Sequence, residues 1–160
     1  MERKRNIREV FVILHNLRSV HNVGAIFRSA DAAGVVKLFL TGYTPLPMDR
    51  FGRKRPDIAK TALGAETYVA WEFRPHIGAL VQELCEAGIQ LVCVEQAPGA
   101  RNFREFQARE RVAYIFGNEV RGISSALLKR CDVIIEIPMR GRKESLNVAV
   151  AAGVILFCGG

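Results

Sequence analysis

Apolar residues along the chain fall into two recurring patterns: short, near-continuous runs and longer stretches with helical spacing. The runs at 10–14, 37–40, 67–70, 90–94, 112–116 and 133–137 predict β-strands. Strands that are apolar at almost every position have both faces buried, the condition of a parallel sheet covered on two sides. Helical patterns occupy 23–33, 75–87, 124–130 and 145–157. Alternation of the two predicts an α/β fold, a mostly parallel sheet flanked by helices.

Two of the helices differ in kind. In the first, Val23, Ile26, Phe27, Ala30 and Ala33 form one apolar stripe, Asn22 is a candidate cap, and Gly34 supplies the expected terminating glycine. The last is apolar nearly all round from Val148 onward, so it is expected to be buried in the domain or against a second subunit. Between strands two and three, the 43–56 segment carries Pro45, Pro47, Gly52 and Pro56 among Arg50, Arg53, Lys54 and Arg55. It reads as a breaker-rich basic loop that either grips phosphates or is a solvated surface loop.

With 160 residues, one domain over 1–160 is expected, large enough to bury a proper core. Charge changes the picture more than size does. The 23 Lys and Arg against 16 Asp and Glu give a formal net charge of +7, which favours a polyanionic partner, nucleic acid being the commonest. Cys85, Cys93, Cys131 and Cys158 form no Cys-x-x-Cys pair, and cysteines in apolar segments behave as small buried hydrophobes. His15, His21 and His76 lack metal-ligand spacing, so no metal is expected. The apolar stretch from Val148 to Cys158 is too short to span a bilayer, which needs about 20 residues. A reduced, cytoplasmic protein without a membrane partner is the natural expectation.

Open parallel sheets bind ligands beyond the carboxyl ends of their strands. Three such exits are unusually polar. The first runs from His15 to Arg28, where Asn22 and Arg28 could face a cleft, or could be a cap and half of a surface ion pair with Asp31. The second runs from Gly117 to Ser124. Its two glycines suggest a phosphate loop, but Ile123 stands where the phosphate-binding lysine is required, and Glu119 would repel phosphate. Glu119 suits a cation, an arginine, or sugar and amine donors. The third runs from Pro138 to Asn147, with Ser145 as a candidate helix cap beside Asn147.

Taken together, three motifs resemble the SpoU (TrmH-like) family of RNA 2′-O-ribose methyltransferases, within the SPOUT superfamily. They are NVGAIFRSADAAG from Asn22 to Gly34, FGNEVRG from Phe116 to Gly122, and IPMRGRKESLNVAVA from Ile137 to Ala151. KTALGAE, from Lys60 to Glu66, is similar to a further family segment. The resemblance covers essentially the whole chain. It implies a C-terminal deep trefoil knot, a homodimer with its site near the interface, and S-adenosyl-L-methionine as methyl donor. By the same resemblance Gly117, Ile137, Met139, Leu146 and Asn147 hold the donor. Arg28, Asn22, Glu119, Ser145 and Asn147 match the family's catalytic and polar site positions.

A guanidinium is a poor base at neutral pH, so Arg28 is expected to pair with a phosphate and orient the 2′-hydroxyl while water or phosphate relays the proton. Arg18, Arg50, Arg53, Lys54, Arg55 and Arg121 are the candidate RNA contacts, joined by Arg3, Lys4, Arg5 and Arg8 near the start. No N-terminal RNA-binding domain is expected. The leading substrate is tRNA, the alternatives being rRNA or a catalytically silent RNA-binding dimer or assembly factor.

Overall fold

Residues 8–158 are described in a computed structural model of the chain; Arg3, Lys4 and Arg5 lie outside them. Strands β1 (Glu9–His15), β2 (Lys37–Thr41), β3 (Trp71–Arg74), β4 (Gln90–Val94), β5 (Arg101–Asn102), β6 (Arg111–Phe116) and β7 (Val133–Glu136) form one sheet. Its order is β3-β2-β1-β6-β4-β7-β5, and every pairing is parallel.

The continuous apolar runs have the reason predicted for them. Alternate residues of β1 enter two cores: Val12 and Leu14 one, Phe11 and Ile13 the other. On the first face lie α1 (Val20–Ala33), α2 (Pro56–Ala62) and α6 (Val148–Cys158), contributing Phe27, Ile58 and Ile155 among others. On the second lie α4 (Ile77–Glu86) and α5 (Ser125–Leu128), contributing Leu80, Leu84 and Leu127. Gly24 lets α1 and α2 meet, because a Cβ there would stand 2.6 Å from the Ile58 carbonyl oxygen.

Several local expectations need correction. Residues 67–70 do not form a strand: α3 (Ala65–Tyr68) occupies this region, and the strand begins at Trp71. Leu63 and Gly64 both have positive φ, and the turn they make is closed when the Thr67 hydroxyl donates to the Gly64 carbonyl at 2.6 Å. Thr67 and Tyr68 therefore belong to a helical turn that ends at Val69, while the edge strand Trp-Glu-Phe-Arg alternates aromatic and charged residues. The first helix starts earlier than expected, capped by Ser19 rather than Asn22. Ser145 does not cap the last helix; the Asn147 side chain does, accepting from the N–H groups of Ala149 (2.8 Å) and Val150 (3.3 Å). Gly34 ends α1 with φ 71°, as expected.

The last helix is only half buried. Ala152 and Ile155 face the core, whereas Val150 and Phe157 are exposed. The cysteines also depart from expectation: Cys85 and Cys158 are exposed, and Cys93 is joined to Cys131 by a disulfide. Parallel pairing of Cys93 with Ile134 brings these positions together across 38 residues of chain, which no local spacing reveals. Among the described residues, no helix is long and apolar enough to cross a membrane.

Candidate active site

At the carboxyl edge of the sheet the exits of β1, β4, β6 and β7 enclose a cavity of about 910 Å³. Parallel strands discharge their loops on the same edge, so segments far apart in sequence converge there. Gly117, Glu119 and Arg121 come from the β6 exit, and Ile137, Met139, Ser145, Leu146 and Asn147 from the β7 exit. Arg18 and Asn22 come from the start of α1.

Three of these polar side chains form a continuous row. The Glu119 carboxylate accepts from the backbone N–H groups of Arg18 (3.0 Å) and Ser19 (3.1 Å) and from the Asn22 amide (3.2 Å). The Asn22 carbonyl oxygen accepts in turn from the Asn147 amide at 3.1 Å. Because Ser19 takes the capping role, the Asn22 side chain is left to join Glu119 to Asn147. Burial raises the Glu119 pKa, but the N–H donors of Arg18 and Ser19, its own backbone N–H and the Asn22 amide together outweigh this and hold it below the usual carboxylate value.

The β6 loop itself is held by Asn118, which is buried. Its side-chain oxygen accepts from Val120 N (2.9 Å) and Arg121 N (2.8 Å), and its amide donates to the Asn16 carbonyl (2.9 Å) and the Tyr43 hydroxyl (3.1 Å). Gly117 is needed for the closure, since a Cβ there would lie 2.7 Å from the Gly122 carbonyl oxygen. A second carboxylate, Glu95 at the β4 exit, accepts from Ile123 N (2.9 Å) and Gln96 N (2.9 Å) and lines the same cavity. The arrangement can enclose a ligand of nucleoside size between apolar walls and backbone groups, with a polar row at the mouth.

A model of the SpoU rRNA Methylase family matches residues 9–157. The chain belongs to this family. It is 34% identical over 163 residues to a tRNA (guanosine(18)-2′-O)-methyltransferase of Thermus thermophilus, covering 97% of this chain and 80% of that protein. It is 32% identical to a 23S rRNA (guanosine-2′-O-)-methyltransferase of Bordetella pertussis, covering 92% of this chain and 58% of that one. An AdoMet-bound rRNA methyltransferase from Sinorhizobium meliloti superposes with a TM-score of 0.84 at 29% identity, covering 94% of this chain and 55% of the other. Against several relatives, then, the chain spans less than two thirds of their length.

Not every expected site residue of the family motifs lies in the cavity. Arg28 does not: it is exposed on α1, in a separate shallow depression with Ser29, Lys60 and Phe157. The alternative Arg28–Asp31 ion pair is not formed either. Arg50, Arg53 and Lys54 are exposed on the 43–55 loop, away from the cavity lining, and Arg55 is paired with Asp57 at 2.8 Å. Sequence reasoning missed Asn118 and the whole β4 exit, Glu95 to Pro98. Residue type carried the available signal: a carboxylate at the exit of a buried strand, Glu95 directly after β4 as Glu119 is three residues after β6.

Proposed function

We propose that this chain is an S-adenosylmethionine-dependent RNA methyltransferase that methylates a ribose 2′-hydroxyl, in tRNA first and in rRNA as the alternative. The observation that carries the reading is the row Glu119–Asn22–Asn147 at the mouth of a cavity of about 910 Å³. The names of the Thermus and Bordetella relatives and the AdoMet-bound state of the Sinorhizobium neighbour support it. The cavity fits such a donor: Val94, Phe116, Ile137 and Leu146 offer apolar surface to an adenine, and the Gly117 loop and the β7 exit offer peptide groups to its edges. Bound there, S-adenosylmethionine supplies a methyl group on a sulfonium, open to in-line displacement.

The chain's own residues then divide the work. Gly117, Ile137, Met139 and Leu146 form the donor pocket. Glu119, Asn22 and Asn147 fix the starts of α1 and α6 relative to the β6 loop, and Arg18 and Arg121 place positive charge at the cavity for RNA phosphates. Arg28 pairs with a phosphate and orients the hydroxyl, with water or phosphate as proton acceptor. Since it lies outside its own chain's cavity, Arg28 serves the cavity of a second copy. The exposed Val150 and Phe157 of α6, the latter beside Arg28, support a homodimer on this face. The placing of β7 between β4 and β5, two strands earlier in the chain, supports a knotted C-terminal segment. The cytoplasm, where such RNAs reside, is the proposed compartment; reducing conditions there would hold Cys93 and Cys131 as adjacent thiols.

The test is methyl transfer from labelled S-adenosylmethionine to unmodified tRNA and rRNA, read by nucleoside mass spectrometry. A 2′-O-methylnucleoside is expected, lost in Arg28→Ala. Donor and RNA binding without transfer to either pool would favour the silent RNA-binding dimer, and absence of donor binding would overturn the enzyme reading.

A further inference from the structure

The 43–55 loop is more ordered than its proline and glycine content predicts. Asp49 organises it: one carboxylate oxygen accepts from Phe51 N (2.8 Å) and Arg53 N (3.0 Å), the other from Arg53 Nε (2.8 Å). Backbone bonds from Asp49 N to the Arg53 carbonyl (2.8 Å) and from Arg55 N to the Pro47 carbonyl (2.9 Å) close the turn. At its tip Phe51 is 66% exposed and belongs to neither hydrophobic core. The guanidinium carbons of Arg50 and Arg53 lie 4.8 and 5.0 Å from the centre of that ring. Among the described residues Arg50 makes no ion pair, and Lys54 is exposed next to them.

The turn is also rooted at the active-site edge. Tyr43, where the loop begins, donates its N–H to the Asn16 side chain (3.2 Å), and its hydroxyl accepts from the Asn118 amide that holds the Glu119 loop (3.1 Å). Tyr43 thereby ties the root of the turn to the loop that carries Glu119, although the tip itself does not line the cavity.

We propose that the Asp49-centred turn is a base-stacking RNA contact: Phe51 stacks on an unpaired base near the methylated nucleotide, and Arg50 and Arg53 hold the phosphates flanking it. This rests on the methyltransferase reading above and adds a substrate class to it, RNA with unpaired nucleotides beside the target. An aromatic face set among guanidiniums matches a nucleotide, which presents a π-face and a negative phosphate together. A base inside a duplex has both faces already stacked, so the contact selects loops and single strands. The pre-formed turn loses little conformational freedom on binding. A second copy of this chain is disfavoured as occupant, because three cations at the tip, offset only by Asp49, would face a chain of net charge +7.

Fluorescence anisotropy with labelled oligouridine and with a blunt RNA duplex, across a salt series, tests the proposal on the full chain. Phe51→Ala is expected to weaken oligouridine binding about tenfold without changing the salt slope, and to leave duplex binding unchanged. Phe51→Trp should bind as tightly as wild type or more tightly. Arg50→Ala should lower the log–log salt slope by about 0.7, the value for one lost phosphate contact on a single strand. Wild-type affinity for oligouridine in Phe51→Ala, or a changed oligomeric state in place of changed affinity, would overturn the contact while wild-type methyl transfer kept the enzyme reading intact. A wild-type chain that bound donor but no RNA would overturn both.

Discussion

Helices α1 and α6 pack against one another on the same face of the sheet, and both are rich in small and apolar residues, yet they solve the problem of exposure differently. In α1 one stripe (Val23, Ile26, Phe27, Ala30) is fully buried and the other side ends in water with His21, Arg28 and Asp31. In α6 no polar side exists. Ala152 and Ile155 reach the core, and Val150 and Phe157 are left outside. An amphipathic helix is complete within one chain; a helix apolar all round is complete only when something else covers it. That difference supports the proposal of a second copy on the face where Arg28 lies outside its own chain's cavity.

Adjacent residues of α1 give the sharpest contrast. Phe27→Ala removes a fully buried ring and should cost about 3–5 kcal/mol, a fall of roughly 10 °C in Tm by calorimetry. Arg28→Ala, one position on, should leave Tm almost unchanged and lower turnover about 10²–10³-fold in the methyl-transfer assay. Co-expression of Arg28→Ala with Met139→Trp, which fills the donor cavity, should restore about a quarter of wild-type activity if each cavity takes its arginine from the other chain. No restoration would break the comparison, returning Arg28 to its own chain. On α6, Phe157→Ala should raise the dimer dissociation constant about tenfold in sedimentation without lowering the stability of the isolated chain.

The smallest effect concerns the joint between the two helices. Glu119→Gln should cost about 1 kcal/mol at neutral pH by weakening its bonds to Arg18, Ser19 and Asn22. Because the native carboxyl titrates below its unfolded value, its contribution is complete above the unfolded value and is lost as pH falls through the lower native one. The difference in Tm between wild type and variant should therefore shrink on acidification below about pH 4.

Most of the sheet was legible because burial on two faces leaves a mark in every residue of a strand, as in β1, β4 and β6. The edge escaped for the opposite reason: β3 reads Trp-Glu-Phe-Arg and β5 is two polar residues, neither of which must be apolar. Caps were misplaced by a few positions. Ser19 precedes Asn22 and Asn147 follows Ser145, and all four are residue types that cap well, so propensity alone could not choose among them. The choice mattered, since a capping Asn22 could not also bridge Glu119 and Asn147. Cysteine pairing was invisible for the same kind of reason, Cys93 and Cys131 being neighbours only through the β4–β7 register.

By itself the sequence determined the layers, the two-sided core, the polarity of the three strand exits and, through three motifs, the family. Those properties are local, set by the period of side chains along a strand or helix. Only the tertiary structure decided the strand order, the meeting of Glu119 with Asn22 across 97 residues and of Asn147 with Asn22 across 125, and the separation of Arg28 from the cavity. Periodicity says which face of an element is buried, and nothing about which distant element will cover it.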